Sequence, residues 1–146
     1  MSRLSLANSL VTSKNRIPSI LIEEEFASGT GGFTFIATTG SNDSGTLKTI
    51  ASGDSTPHYA YKILVCSEYT TYKYSIDLAV SGIGGGHINV GTSVGASDVI
   101  NVDAASAATY TGTFTTGGWT VIVLHLVGDN NSVTTKWDNV LIQEDN

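Results

Sequence analysis

The chain has 146 residues, a length that suits one domain with a substantial core and leaves little room for a second folding unit. Hydrophobic residues make up 40% and charged residues only 14%, with 16 glycines and two prolines, the profile of a sheet protein rich in glycine turns. The net charge of -6 is unevenly divided, and no Lys or Arg occurs between Tyr74 and Thr135, which excludes a phosphate-tracking surface and so a nucleic-acid partner for the body.

Residues 1–22 carry Arg3, Lys14 and Arg16 and no acid, while the remainder holds all 13 acids against Lys48, Lys62, Lys73 and Lys136. This first stretch interleaves Ser, Asn and Thr with isolated apolar residues and has little to bury by itself. It is therefore expected to be an N-terminal arm that docks on a neighbour, with Leu4, Leu6, Leu10, Val11 and Ile20 supplying apolar area and Arg3, Lys14 and Arg16 supplying attraction to an acidic partner. The alternative is that these residues lengthen the first sheet. The N-terminus lacks an apolar core of signal-peptide length, and no segment is long and apolar enough to span a bilayer, so synthesis in the cytoplasm and no membrane partner are expected.

Beyond the arm, residues 23–146 alternate short strand patterns with turn clusters, the rhythm of a sandwich or barrel. About nine strands are predicted, at 32–38, 45–51, 59–67, 70–81, 87–91, 98–102, 107–115, 119–127 and 132–143. In the fourth, Tyr72, Tyr74, Ile76, Leu78 and Val80 share one face and Thr71, Lys73, Ser75, Asp77 and Ala79 the other, which marks a half-buried strand. Residues 107–115 set a ladder of Thr109, Thr111, Thr113 and Thr115 against Tyr110 and Phe114. The run Val121-Ile122-Val123-Leu124 is apolar on both faces, so it belongs to a central strand covered on each side or one whose outer face meets a partner. The expected fold is an all-β, two-sheet antiparallel sandwich of jelly-roll type that buries Tyr72, Tyr74, Ile76, Leu78, Tyr110, Phe114 and Val140.

Catalytic constellations are not evident. Gly91-Thr92-Ser93-Val94-Gly95 matches the Gly-x-Ser-x-Gly pattern, but that chemistry needs a strand, a strained elbow and a helix, whereas the following residues alternate like a strand. It reads as a turn. His58, His87 and His125 show no metal-site spacing, and Gly82-Ile83-Gly84-Gly85-Gly86 fails the dinucleotide fingerprint. Cys66, the single cysteine, lies in an apolar run and reads as a small buried hydrophobe.

Three segments carry a resemblance: Glu25-Phe26-Ala27-Ser28-Gly29-Thr30-Gly31-Gly32-Phe33; Thr71-Tyr72-Lys73-Tyr74-Ser75-Ile76-Asp77-Leu78 followed by Ile88-Asn89-Val90-Gly91; and Thr109-Tyr110-Thr111-Gly112-Thr113-Phe114 with Trp137-Asp138-Asn139-Val140-Leu141-Ile142. In this order they resemble the β-jelly-roll carbohydrate-binding modules, whose domains also recur as parts of phage particles. The opening Asn-Gly of that family is replaced by Glu23-Glu24, and its first aromatic, commonly Trp, is Phe33. The resemblance implies a non-catalytic role and a structural calcium at positions matching Glu25 and Asp138; capping of backbone N–H groups is the competing use of Asp138.

A sugar presents apolar C–H faces and polar edges, so its site needs exposed rings with polar groups around them. The candidate rings are Tyr59, Tyr61, Tyr69, Trp119 and Trp137, each of which has core packing as its other use. Two functions follow. One is a virion structural protein, a phage head-decoration or tail-associated component partnered by a capsid or tail protein and present as a homo-oligomer or in many copies. The alternative is a stand-alone module attaching to a polysaccharide or a cell-surface glycan.

Overall fold

A computed structural model describes residues 19–51, 58–80, 85–128 and 134–146. Arg3, Leu4, Leu6, Leu10, Val11, Lys14 and Arg16 lie outside the described residues. Eleven strands are present among those described: β1 (Ile20–Glu24), β2 (Thr34–Ile36), β3 (Thr38–Asn42), β4 (Leu47–Ala51), β5 (Tyr59–Val65), β6 (Thr71–Val80), β7 (Gly86–Gly91), β8 (Ile100–Ala104), β9 (Ala108–Thr115), β10 (Val121–Gly128) and β11 (Thr134–Glu144). They form two antiparallel sheets. The six-stranded sheet runs β3-β4-β11-β6-β9, with β1 also on β11, and the five-stranded sheet runs β2-β5-β10-β7-β8.

Two departures from the sequence reading have clear causes. Residues 32–38 do not form one strand, because Ala37 takes a positive φ of 47° and the chain changes sheet there, β2 pairing with β5 and β3 with β4. Beyond this break β3 is an edge strand whose side chains carry no apolar period and whose register comes from backbone pairing with β4 across a tight turn. The turn itself is only Asp43–Thr46, with reciprocal backbone bonds of 2.9 and 3.2 Å and positive φ at Ser44 and Gly45, the primed geometry that suits strand twist.

The second departure lies at the arm boundary. Residues 20–24 pair with Val140–Gln143 of β11, so the arm's last three residues belong to the sheet. Ile22 is buried in the core, whereas Ile20 is half exposed within β1. For these residues the lengthened-sheet alternative is the one the structure shows.

Alternation produces the core as expected. Tyr72, Tyr74, Ile76 and Leu78 of β6 meet Phe114, Ile142, Val140 and the five-stranded sheet's Ile88, Val90, Ile122, Leu124 and Leu126. Tyr110 is only partly buried, since it stands at the core's margin and its hydroxyl donates to the Ser106 carbonyl at 2.7 Å. Trp137 and Val140 both face inward although three residues apart, which strict alternation forbids. A bulge reconciles them: Asn139 has φ 45°, the pairing with β6 jumps between Asp138 and Leu141, and Asn139 Nδ2 donates to Asp77 Oδ2 at 2.7 Å.

Candidate functional site

Each sheet has one face in the core and one facing outward, so a ligand site must be sought on the outward faces or at the loop ends. On the six-stranded sheet the outward positions form a lattice by register: Leu141, Ser75 and Thr111 in one row, Gln143, Lys73 and Thr113 in the next. They line a shallow trough of about 420 Å³. A second depression adjoins it at Ser75 and Leu141 and is edged by Glu23, Glu24, Glu25 and Asn139. No outward position of this sheet holds an aromatic ring among the described residues.

The five-stranded sheet is different. Along β5 the outward residues are Tyr59, Tyr61, Ile63 and Val65; opposite them on β10 are Val127, His125, Val123 and Val121. Six residue steps of strand make this strip about 20 Å long. Its far half is open: Ile63 is 57% exposed, Val65 76% and Val121 41%, and β2 pairs with β5 only as far as Tyr61. Lys62, on the opposite parity, escapes the core by donating from Nζ to the Gly31 carbonyl, with its ammonium 5.8 Å from the Phe33 ring centre.

Two rings extend this open half at the loop end. Tyr69 is 77% and Trp119 37% exposed. Both lie against the Gly117-Gly118 turn, where a Cβ at Gly117 would sit 3.0 Å from the Trp119 ring and one at Gly118 3.0 Å from the Tyr69 hydroxyl. Tyr69 N–H donates to the Gly117 carbonyl at 2.9 Å, and Tyr69 has φ 49°. A bulky residue in the left-handed region is uncommon and costs about 1–2 kcal/mol, so this ring is held outward at the expense of both backbone strain and solvent exposure.

The near half of the strip is covered. Residues 92–99, linking β7 to β8, fold back over it, and the Gly95 N–H donates to His125 Nε2 at 2.9 Å. His125 is 2% and Tyr59 6% exposed. Their rings meet edge to face at 5.0 Å, and Tyr61 lies 6.4 Å from His125. Burial lowers the imidazole's affinity for a proton, with the Asn89 backbone carbonyl acting in the other direction, and the bond from Gly95 requires a neutral ring with Nε2 as acceptor. Burial, reinforced by the neighbouring Tyr61 phenol, pushes the Tyr59 phenol up.

The loop is closed at its base by Asp98, which accepts the Thr92 N–H at 2.8 Å and the Thr92 hydroxyl at 2.7 Å; these bonds hold its carboxyl below the usual carboxylate range. The Gly-x-Ser-x-Gly segment is this loop. Gly91 is needed because a Cβ there would fall 2.2 Å from the Ala96 carbonyl oxygen, and Gly95 because its φ is 86°.

Of the five ring candidates, the structure places Tyr59, Tyr61, Tyr69 and Trp119 along one strip and its loop end. Trp137 is fully buried between the sheets and has no face to offer a ligand. The parity that puts it opposite Leu47 on β4 directs it inward. The pair that the resemblance matches to calcium stays an expectation, and the structure places its two members as follows. Asp138 Oδ1 accepts the Asn139 N–H at 2.8 Å, stabilising the bulge, while Glu25 is exposed after β1, and no three His, Cys, Asp or Glu side chains among the described residues are grouped to hold a metal ion. His125 and the 92–99 loop were not foreseen as site elements; the signal available was the Gly91 and Gly95 spacing together with the outward parity of His125.

No protein-family model matches the sequence, and no curated protein matches it significantly. Solved structures do match in fold. The BiXyn10A CBM1 module in its apo form superimposes with a TM-score of 0.61 at 15% identity, over 87% of this chain and 99% of that one. The CBM22-1 xylan-binding domain of Paenibacillus barcinonensis Xyn10C gives 0.59 at 14%, over 89% and 97%. The N-terminal cellulose-binding domain of Cellulomonas fimi β-1,4-glucanase C gives 0.58 at 18%, over 88% and 98%. The chain therefore has the β-sandwich fold of carbohydrate-binding modules.

Proposed function

We propose that the protein is a non-catalytic glycan-binding module that holds an extended polysaccharide chain along the outward strip of β5 and β10. The observation that carries this reading is the placement of Tyr61, Trp119 and Tyr69 around the exposed Ile63, Val65 and Val121 on a sandwich whose other face is hydroxyl-rich. Rings and aliphatic side chains match the C–H faces of a sugar, and the strip is long enough to meet several sugar units in a row. The fold shared with modules named for binding xylan and cellulose supports the reading. Neither the fold nor the comparisons adds support for a capsid or tail partner, and an arm-mediated assembly remains an expectation from the sequence.

Titration calorimetry with xylohexaose and cellohexaose tests the proposal. Weak, saturable binding of at least one, lost in Trp119→Ala, is the expected result. Binding that survives Trp119→Ala and Tyr61→Ala together, or no binding of either oligosaccharide, sinks it.

A further inference from the structure

The covered half of the strip combines features that a purely structural loop does not require. Tyr59 is aromatic with Tyr61 at its edge, His125 is a buried polar ring, and the side-chain oxygen of Asn89, directly across from His125 on β7, is shielded from solvent and accepts no hydrogen bond among the described residues. Aromatic faces beside a waiting acceptor are what a sugar ring with its hydroxyls would use. The cover is anchored at its base, where the Val99 N–H donates to the Val90 carbonyl at 3.0 Å, and among the described residues its middle is fastened over this region by the Gly95 hydrogen bond to a titratable group.

We propose that residues 92–99 form a lid over a further sugar subsite lined by Tyr59, Asn89 and His125, and that protonation of His125 releases the lid. This rests on the glycan-binding reading of the open half. The Gly95 N–H can donate to Nε2 only while that nitrogen keeps its lone pair; a proton there turns acceptor into donor and sets two donors against each other. Among the described residues, the titratable groups that flank the imidazole are the Tyr59 and Tyr61 phenols on β5, His87 on β7, Asp103 beyond it on β8 and Asp98 at the lid base. Burial holds the Tyr59 phenol neutral in this range, and Asp98 is committed to Thr92, so no carboxylate on the lid is shown meeting the new charge. Opening lets solvent do so, and at the same moment uncovers the Tyr59 ring and the Asn89 oxygen. Asp98 keeps the two ends of the lid together during this movement, making the lid hinge as a unit.

Nuclear magnetic resonance of the ¹⁵N-labelled chain between about pH 7.5 and about pH 5 reads the lid directly. The Gly95 amide and the His125 ring are expected to titrate with one midpoint, and Gly95 exchange, corrected for its intrinsic pH dependence, to rise about tenfold while Ile122, Leu124 and Leu126 stay protected. A Gly95 amide that ignores the titration of His125, or core amides that exchange along with it, overturns the lid. Xylohexaose and cellohexaose then read the subsite. Affinity is expected to increase about threefold or more from about pH 7.5 to about pH 5, and Asp98→Ala, which loosens the lid base, to show the higher affinity already at about pH 7.5. Binding at the higher pH that strengthens in neither case overturns the subsite alone, whereas absence of binding at every pH overturns the glycan reading on which it rests.

Discussion

The two outward faces of this sandwich are built on the same backbone alternation and differ in what they spend it on. The six-stranded sheet shows solvent Thr109, Thr111, Thr113 and Thr115 on β9, Lys73, Ser75 and Asp77 on β6 and Gln143 on β11, polar groups that pair with neighbours such as Asn139 and Asp145 or face solvent, around the apolar Leu141. The five-stranded sheet shows Tyr61, Ile63, Val65 and Val121, with Trp119 and Tyr69 at its end. Neither composition is needed to fold the chain, because both faces back onto the same core. The difference therefore concerns what each face meets. A polar face needs no partner, whereas a contiguous exposed apolar strip carries a standing solvation cost that binding relieves.

The largest test of this contrast compares the two tryptophans. Trp137→Ala is expected to destabilise by about 3–5 kcal/mol, since its fully buried ring leaves a cavity between the sheets. Trp119→Ala should cost about 1 kcal/mol in stability and at least about tenfold in oligosaccharide affinity. Thermal unfolding and calorimetry on the two variants separate these effects. Equal destabilisation by both would mean that Trp119 belongs to the core, and the two faces would lose their contrast.

Trp137 also shows where sequence reasoning reached and where it stopped. Period-two alternation in β6 placed Tyr72, Tyr74, Ile76 and Leu78 inward, and the structure agrees, because a one-residue slip would expose the whole set. The doubly apolar run in β10 likewise named a central strand: one face meets the core, and on the other Val123 and His125 are buried, with the 92–99 loop bonded to His125. What alternation cannot carry is a break in its own period. The Asn139 bulge, which turns both Trp137 and Val140 inward, and the positive φ of Ala37, which divides β2 from β3, are backbone events with weak side-chain signatures. The site was legible as ring types and invisible as geometry. Tyr59, Tyr61, Tyr69 and Trp119 were named, but that residues 92–99 fold over the Tyr59 end of the strip depends on long-range closure onto His125, 30 residues away from Gly95 in the chain.

The covered and open halves of the strip should respond differently to pH. Burial depresses the His125 pKa in the folded state, so as pH falls below the unfolded value of about 6.5 the unfolded chain takes up a proton that the closed fold refuses, and stability declines. The slope from this one group is at most about 1.4 kcal/mol per pH unit, and it flattens once the lid opens and the imidazole binds its proton in the native state. Denaturant melts of the wild type and His125→Phe between about pH 7.5 and about pH 5 check this: the variant should lose the decline. An unchanged slope in the variant would place the pH dependence elsewhere.

The smallest expected effect is the one that most directly separates holding a ring in place from holding the fold together. Tyr69 has φ 49°, a conformation that asparagine tolerates better than tyrosine because its short polar side chain bonds locally. The Tyr69 ring is almost wholly in solvent, touches the Gly118 position, and lends the core no buried area that asparagine would forfeit. Tyr69→Asn should therefore leave stability unchanged or raise it by about 0.5 kcal/mol, while the Tyr69 N–H bond to the Gly117 carbonyl, which depends only on the backbone, persists. Oligosaccharide affinity should fall by about threefold to tenfold as one of the two end rings is removed. A variant that gains stability and loses affinity shows that the backbone strain is maintained for the ring. A variant that loses stability without losing affinity assigns Tyr69 to the turn, and leaves the open strip with Trp119 as its only ring at the loop end.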